Sequence, residues 1–197
     1  MDQRVVTAAD APDSKPDPVE KPVSVSGPDE FISKLGDTFV NPTPEEVKNF
    51  KNGGFVRALD SARYIPETPG APHSRGSPHV HSLAMQFDSE KGADDALETL
   101  HLDSLRPCPE TCGQSAEEFD VPDIPGAFGT HRFATAESIQ QAGDTEGRPF
   151  DSYEIVFADG VFAYREILDG APGKVTQDEA EEIAKSLYDR VKGQPAA

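Results

Sequence analysis

An α+β domain, an antiparallel sheet with helices packed on one side, is the fold class this sequence predicts. Three observations carry it: a hairpin signalled by Asp159-Gly160 between apolar runs, a cleanly alternating stretch at 79–87, and amphipathic helices that each follow a strand pair. The order reads helix, strand, strand, helix, then strand, strand, strand, helix. That order fits a duplicated ββα plan.

Each element has its own signal. Residues 1–27 are proline-dense past Ala11 and lack an apolar period, which predicts a disordered acidic tether ahead of one domain at 28–197. Phe31, Ile32 and Leu35 then supply a short apolar turn. In TPEEVKNFKNGG, Thr43 is placed to cap a helix, Pro44 takes its first position, Glu46 reaches back to the cap, and Asn52-Gly53-Gly54 ends it. Val47 and Phe50 are its core contacts.

A strand is predicted at 55–65, with a helix as the alternative because its alternation is imperfect. The next, HVHSLAMQF, puts His81, Leu83, Met85 and Phe87 on one face and Val80, Ser82, Ala84 and Gln86 on the other. A helix starting after Asp88 or Ser89 carries Ala93, Ala96, Leu97, Leu100 and His101 on one stripe. Pro122 and Pro125 delay the next strand to 128–134, and a polar loop runs from there to Pro149.

In the hairpin, Asp159-Gly160 as the two turn residues sets Ala158 opposite Val161, Phe157 beside Phe162 and Ile155 beside Tyr164. Glu154 and Arg165 then form an exposed pair on the other face. The last helix opens on a Thr176–Glu179 capping box. It buries Ala180, Ile183, Ala184, Leu187 and Val191, with a Glu181–Lys185 pair on its surface.

Charge narrows the functions. With 36 acidic against 18 basic residues the net charge is −18, which repels nucleic acid and anionic membrane surfaces. No apolar run is long enough to span a bilayer, so membrane attachment is expected only through an anchor absent from this sequence. Hydrolase, dinucleotide and phosphate-loop motifs are missing, so neither a catalytic residue nor a cofactor is predicted.

The two cysteines, Cys108 and Cys112, bracket PET in a tight loop. A structural metal wants a second ligand pair, and a redox pair wants CxxC at a helix N-terminus. A disulfide is the reading adopted, contributing about 2 kcal/mol or less because the loop is short. It points to an oxidising, extracytoplasmic compartment. His79 and His81 share a strand face, a geometry metals use, with His73 upstream. The reading adopted is nonetheless half-buried, hydrogen-bonded histidines at a sheet end, with no metal site.

Taken together, FDSEKGADDALETLHLDSLRPC, VPDIPGAFGTHRF and IVFADGVFAYREI with AEEIAKSLYDRV resemble small actinobacterial lipoproteins and receptor-kinase sensor domains, the extracellular PknH-like group among them. The pattern spans roughly residues 55–192, although no tryptophan precedes Cys108 as it usually does in that group. The resemblance implies an exported, non-catalytic binding or sensor domain. The expected ligand is a small molecule, an envelope component or a protein, held on a sheet face bearing His81, Tyr153, Tyr164 and Arg165. The alternatives are a hydrolase-like enzyme near His79/His81 and a purely structural interaction domain.

Overall fold

Asp159 and Phe162 close a two-residue turn of Gly160 and Val161, and Gly160 takes φ +57° at the first loop position, the placement type II′ turns favour. From this turn strands run back over Phe150–Asp159 and out over Phe162–Gly170 at the centre of the sheet. The computed structural model describes residues 1–35, 44–68, 77–106, 113–142 and 147–195. The cysteine pair, Thr43 and His73 lie outside them.

In chain order the strands are β1 (Lys15–Pro16), β2 (Val23–Ser26), β3 (Phe55–Tyr64), β4 (His79–Phe87), β5 (Gln114–Phe119), β6 (Phe128–Ala134), β7 (Phe150–Asp159) and β8 (Phe162–Gly170). They form one antiparallel sheet ordered β1-β3-β4-β8-β7-β6-β5, with β2 also paired to β3. The helices are α1 (Pro28–Leu35), α2 (Pro44–Asn52), α3 (Glu90–Ser104), α4 (Ala136–Ala142) and α5 (Gln177–Val191).

This is the expected α+β class. Its core divides by the period of two along each strand. Ala58, Leu83, Met85, Phe87, Val156 and Ala163 face α1–α3, where Phe31, Phe50, Phe55 and Phe87 pack as an aromatic cluster. Leu59, Val80, Ala84, Ile155, Phe157, Tyr164 and Leu168 point the other way. Helices α1–α3 thus share one side as the sequence implies, and α5 covers the opposite side as a second layer. Two ββα units, β3-β4-α3 and β7-β8-α5, meet where β4 pairs with β8.

The local signals behave as read. Ser89 caps α3 by accepting from the Gly92 N–H, and Thr176 and Glu179 form the reciprocal capping box of α5. The buried stripe of α5 is the predicted one. Gly54, at φ +70°, turns the chain out of α2 against Asp88, where a side chain would collide.

Three expectations are corrected. The hairpin pairs Phe157 with Tyr164 and Ala158 with Ala163, because the turn sits one residue later, at Gly160-Val161, than the Asp159-Gly160 turn expected. Because each partner shifts by two, the faces survive while the direct partners change. The Glu154–Arg165 pair is diagonal and buried instead of exposed, since α3 covers that face. On α5, Lys185 pairs forward with Asp189 at 2.7 Å, while Glu181 accepts from Gln177.

The tether reading is also corrected. Arg4, Val5, Val6, Asp10 and Ala11 are buried against α5 and the far sheet face, and β1 and β2 extend the sheet beside β3. The contacts that dock this segment come from far along the chain. Arg4 donates to the Tyr164 hydroxyl at 2.6 Å and lies over the Phe162 ring, and Arg190 clamps the Asp10 carboxylate at 2.6 and 3.0 Å.

Two acids on this side set the pH response. Burial opposes the charge on Asp10, yet hydrogen bonds from Arg190 and Thr7 outweigh it and hold the carboxyl below its ordinary 3.8. Its contribution to stability is therefore full above that value and lost as pH falls through the lower folded one. Asp10→Asn is expected to cost about 1–3 kcal/mol in urea denaturation at neutral pH. The difference from the native chain should vanish in strong acid.

Glu166 behaves oppositely. It is enclosed beneath the N-terminal segment, accepts from the Ser82 hydroxyl at 2.8 Å, and burial pushes its carboxyl well above the ordinary 4.5. Between the two values only the unfolded chain ionises, so stability falls as pH rises. Glu166→Gln is expected to gain on the order of 1 kcal/mol at about pH 8 and nothing at about pH 4. A pH-independent effect would refute this account.

Candidate functional site

Helix α3 ends at Ser104, but the sheet it covers continues toward the N-terminus of β4 and the C-terminus of β8. On the helix side three cross-strand rows run from beneath the end of α3 out to this uncovered end. Asp60, Leu83 and Arg165 are direct neighbours in the first, His81 and Ile167 in the second, and His79, Asp169 and Ser152 in the third. With Phe150 they line a groove of about 360 Å³. His79 alone of the three rows stands outside its lining.

The groove floor is anchored by Arg165. The guanidinium donates to Glu154 Oε2 at 2.9 Å, and its Nε stands 2.8 Å from Oε1 without hydrogen-bond alignment. Asp103, from the last turn of α3, approaches to 3.9 Å and is itself 3.3 Å from Arg106. Burial works against the charge on Arg165, but Glu154 and Asp103 reverse that and hold its pKa above the ordinary value. Since both carboxylates already neutralise it, the groove presents little positive charge from this residue.

The walls are acidic. Burial raises the Asp60 and Asp169 carboxyls above their ordinary range, with His81 pulling in the opposite direction on both. His81 lies between Asp169 (Nε2 to Oδ1, 3.7 Å) and Glu20 (Nδ1 to Oε2, 3.6 Å). His79 Nε2 stands 3.5 Å from Asp17 Oδ2. Asp17 and Glu20 belong to the segment that the sequence reading left as a tether.

The structure brings together two of the four residues predicted to share a face. His81 and Arg165 line the groove. Tyr164 points to the other side, where its phenol is pushed up to about 12 by burial, and Tyr153 stacks on His131 at 4.3 Å on that same side. Adjacent residues on a strand point oppositely, so Tyr164 and Arg165 cannot face one ligand. Sequence reasoning missed Asp60, Ser152 and Asp169, which join this face only through the β3–β4, β7–β8 and β4–β8 pairings respectively.

No protein-family model matches the chain, and no curated protein matches it. Among solved structures it is similar to the extracellular domain of PknH from Mycobacterium tuberculosis. The TM-score is 0.55 at 10% identity, covering 93% of this chain and 88% of that one. It is also similar to an uncharacterized protein from Mycobacterium smegmatis, the Rv0999 ortholog, with a TM-score of 0.44 at 14% identity, covering 94% and 97%. The first likeness is one of fold: the chain has the architecture of the PknH extracellular domain, the group its sequence resembles.

The Arg165 cluster gives a test of what holds the floor. Arg165→Met leaves Glu154 buried without its cation, and Asp103 with Arg106 alone, and is expected to lower stability by about 3–5 kcal/mol. The double variant Arg165→Met/Glu154→Met should lose less, because one stranded charge is gone. Equal losses by urea denaturation would show that packing, and not charge, sets the cost.

Proposed function

We propose that this chain is a non-catalytic, extracytoplasmic binding or sensor domain that takes a small molecule on the uncovered end of its sheet. The observation that supports this reading is the groove itself: Leu83, Phe150 and Ile167 offer apolar contact, while Asp60, His81, Ser152 and Asp169 converge on it. Binding sites typically combine a concave, mostly apolar lining with a few placed polar groups. The acidic balance of those groups, with Arg165 already neutralised, favours a ligand bearing an amine or another cationic group. The fold it shares with the extracellular domain of PknH supports the same compartment. Attachment to a membrane, by an anchor outside this sequence, belongs to the same proposal.

The test is a thermal-shift screen of metal-free protein against amines, amino acids and neutral sugars, followed by calorimetry on any hit. An amine that raises Tm should lose its effect in Ser152→Trp, which fills the groove, and in Asp60→Asn, which removes one wall charge. If none of the amines binds, or if binding survives both substitutions, the groove reading fails.

A further inference from the structure

At one end of the groove, sharing His81 and Asp169 with its lining, the N-terminal end of β4 holds an arrangement that the binding of an organic ligand does not account for. His79 and His81 are two residues apart on one strand, so both imidazoles leave the same face, and Asp169 is the direct cross-strand partner of His79. One donor atom from each of the three lies within 4.8 Å of the others. The side chains are half-buried, at 21%, 27% and 37% exposure, so they are fixed by packing and still reachable from solvent.

The separations are informative. His81 Nε2 and Asp169 Oδ1 are 3.7 Å apart, too far for a hydrogen bond. Asp169 Oδ1 is itself shielded from solvent and accepts no hydrogen bond. Two donors on one tetrahedral zinc at 2.0–2.1 Å stand about 3.3 Å apart, so a shift of a few tenths of an ångström would bring this pair onto one ion.

The surroundings supply an outer shell. If Nε2 of His81 faces the ion, its Nδ1 points to Glu20 at 3.6 Å, the carboxylate backing that metal-bound histidines typically have. Asp17 stands beside His79, and its other carboxylate oxygen is fixed by the Val19 and Glu20 N–H groups at 2.6 and 2.9 Å. Asp60 adds a further negative charge close to His81. Two imidazoles and a carboxylate, with these acids behind them, suit a zinc-class divalent ion far better than calcium, which takes six to eight oxygens.

We infer that His79, His81 and Asp169 form a binding site for a zinc-class divalent metal ion, with Glu20 and Asp17 as its outer carboxylates. This reverses the sequence reading that assigned no metal here. A three-ligand site leaves at least one coordination position open toward the groove. The inference does not rest on the groove taking an organic ligand.

The experiment uses the full chain without added histidines, stripped by chelator and titrated with Zn²⁺ by calorimetry, with Ca²⁺ as control. Co²⁺ absorption reports the coordination. One Zn²⁺ per chain is expected, with intense visible Co²⁺ bands and Ca²⁺ far weaker. His79→Ala should weaken Zn²⁺ by more than about 100-fold, as should Asp169→Asn, which keeps the side-chain shape if the alanine variant misfolds. Glu20→Gln should weaken it by about tenfold. Absence of Zn²⁺ binding, binding that survives both ligand substitutions, or Ca²⁺ binding as tight as Zn²⁺ would overturn the assignment. Tight Zn²⁺ binding with no amine found would leave this site standing and remove only the groove reading.

Discussion

The ion cluster around Arg165 is the constraint on which the rest of the architecture depends. A guanidinium in the middle of the central strand β8, on a covered face, is tolerable only with carboxylates supplied on site. Glu154 comes from the neighbouring strand and Asp103 from the last turn of α3. Their geometry therefore fixes both the hairpin register and the position at which α3 stops. Where α3 stops, the helix layer stops, and the end of the sheet beyond it is left for the groove.

The opposite face answers to two more arginines. Arg4 ties the first ten residues to Tyr164 and to the Gln194 carbonyl that follows α5, and Arg190 of α5 clamps Asp10. Once this segment is held, its continuation through β1 lays Asp17 and Glu20 along the sheet edge beside the histidines. A contact on the α5 side thus positions carboxylates on the groove side. The two faces are connected through a stretch of chain whose own composition carries no folding signal.

That contrast explains what was legible in the sequence. Elements whose stabilisation is local or periodic could be read: the Thr176–Glu179 box, the apolar stripe of α5, the alternation of β4, and the two faces of the β7–β8 hairpin. Elements stabilised only by distant partners could not. Residues 1–27 look like a solvated tail because the groups that bury Arg4 and Asp10 lie more than 150 positions away. Strand β5, QSAEEF, is mostly exposed and gives no apolar pattern. Its sheet partner is β6, and Glu118 and Phe119 reach His101 of α3 and Tyr153 of β7. Helix α4 buries only Ile139, so its periodicity had nothing to show.

The candidate site was half legible for a related reason. Alternation placed His79 and His81 on one face from sequence, but it says nothing about what lies across the strand. Asp169 becomes their neighbour only through the pairing of β4 with β8, and Asp60 only through β3 with β4. Two histidines alone are most economically read as edge-of-core residues, because a pair of imidazoles lacks the ligand number a metal needs. The sheet supplies the third donor and the N-terminal segment supplies the acids behind it. In a chain carrying a net charge of −18, such convergence of carboxylates costs folding energy through mutual repulsion. A bound divalent cation would offset that cost at the place where Asp17, Glu20, Asp60 and Asp169 crowd around two imidazole rings.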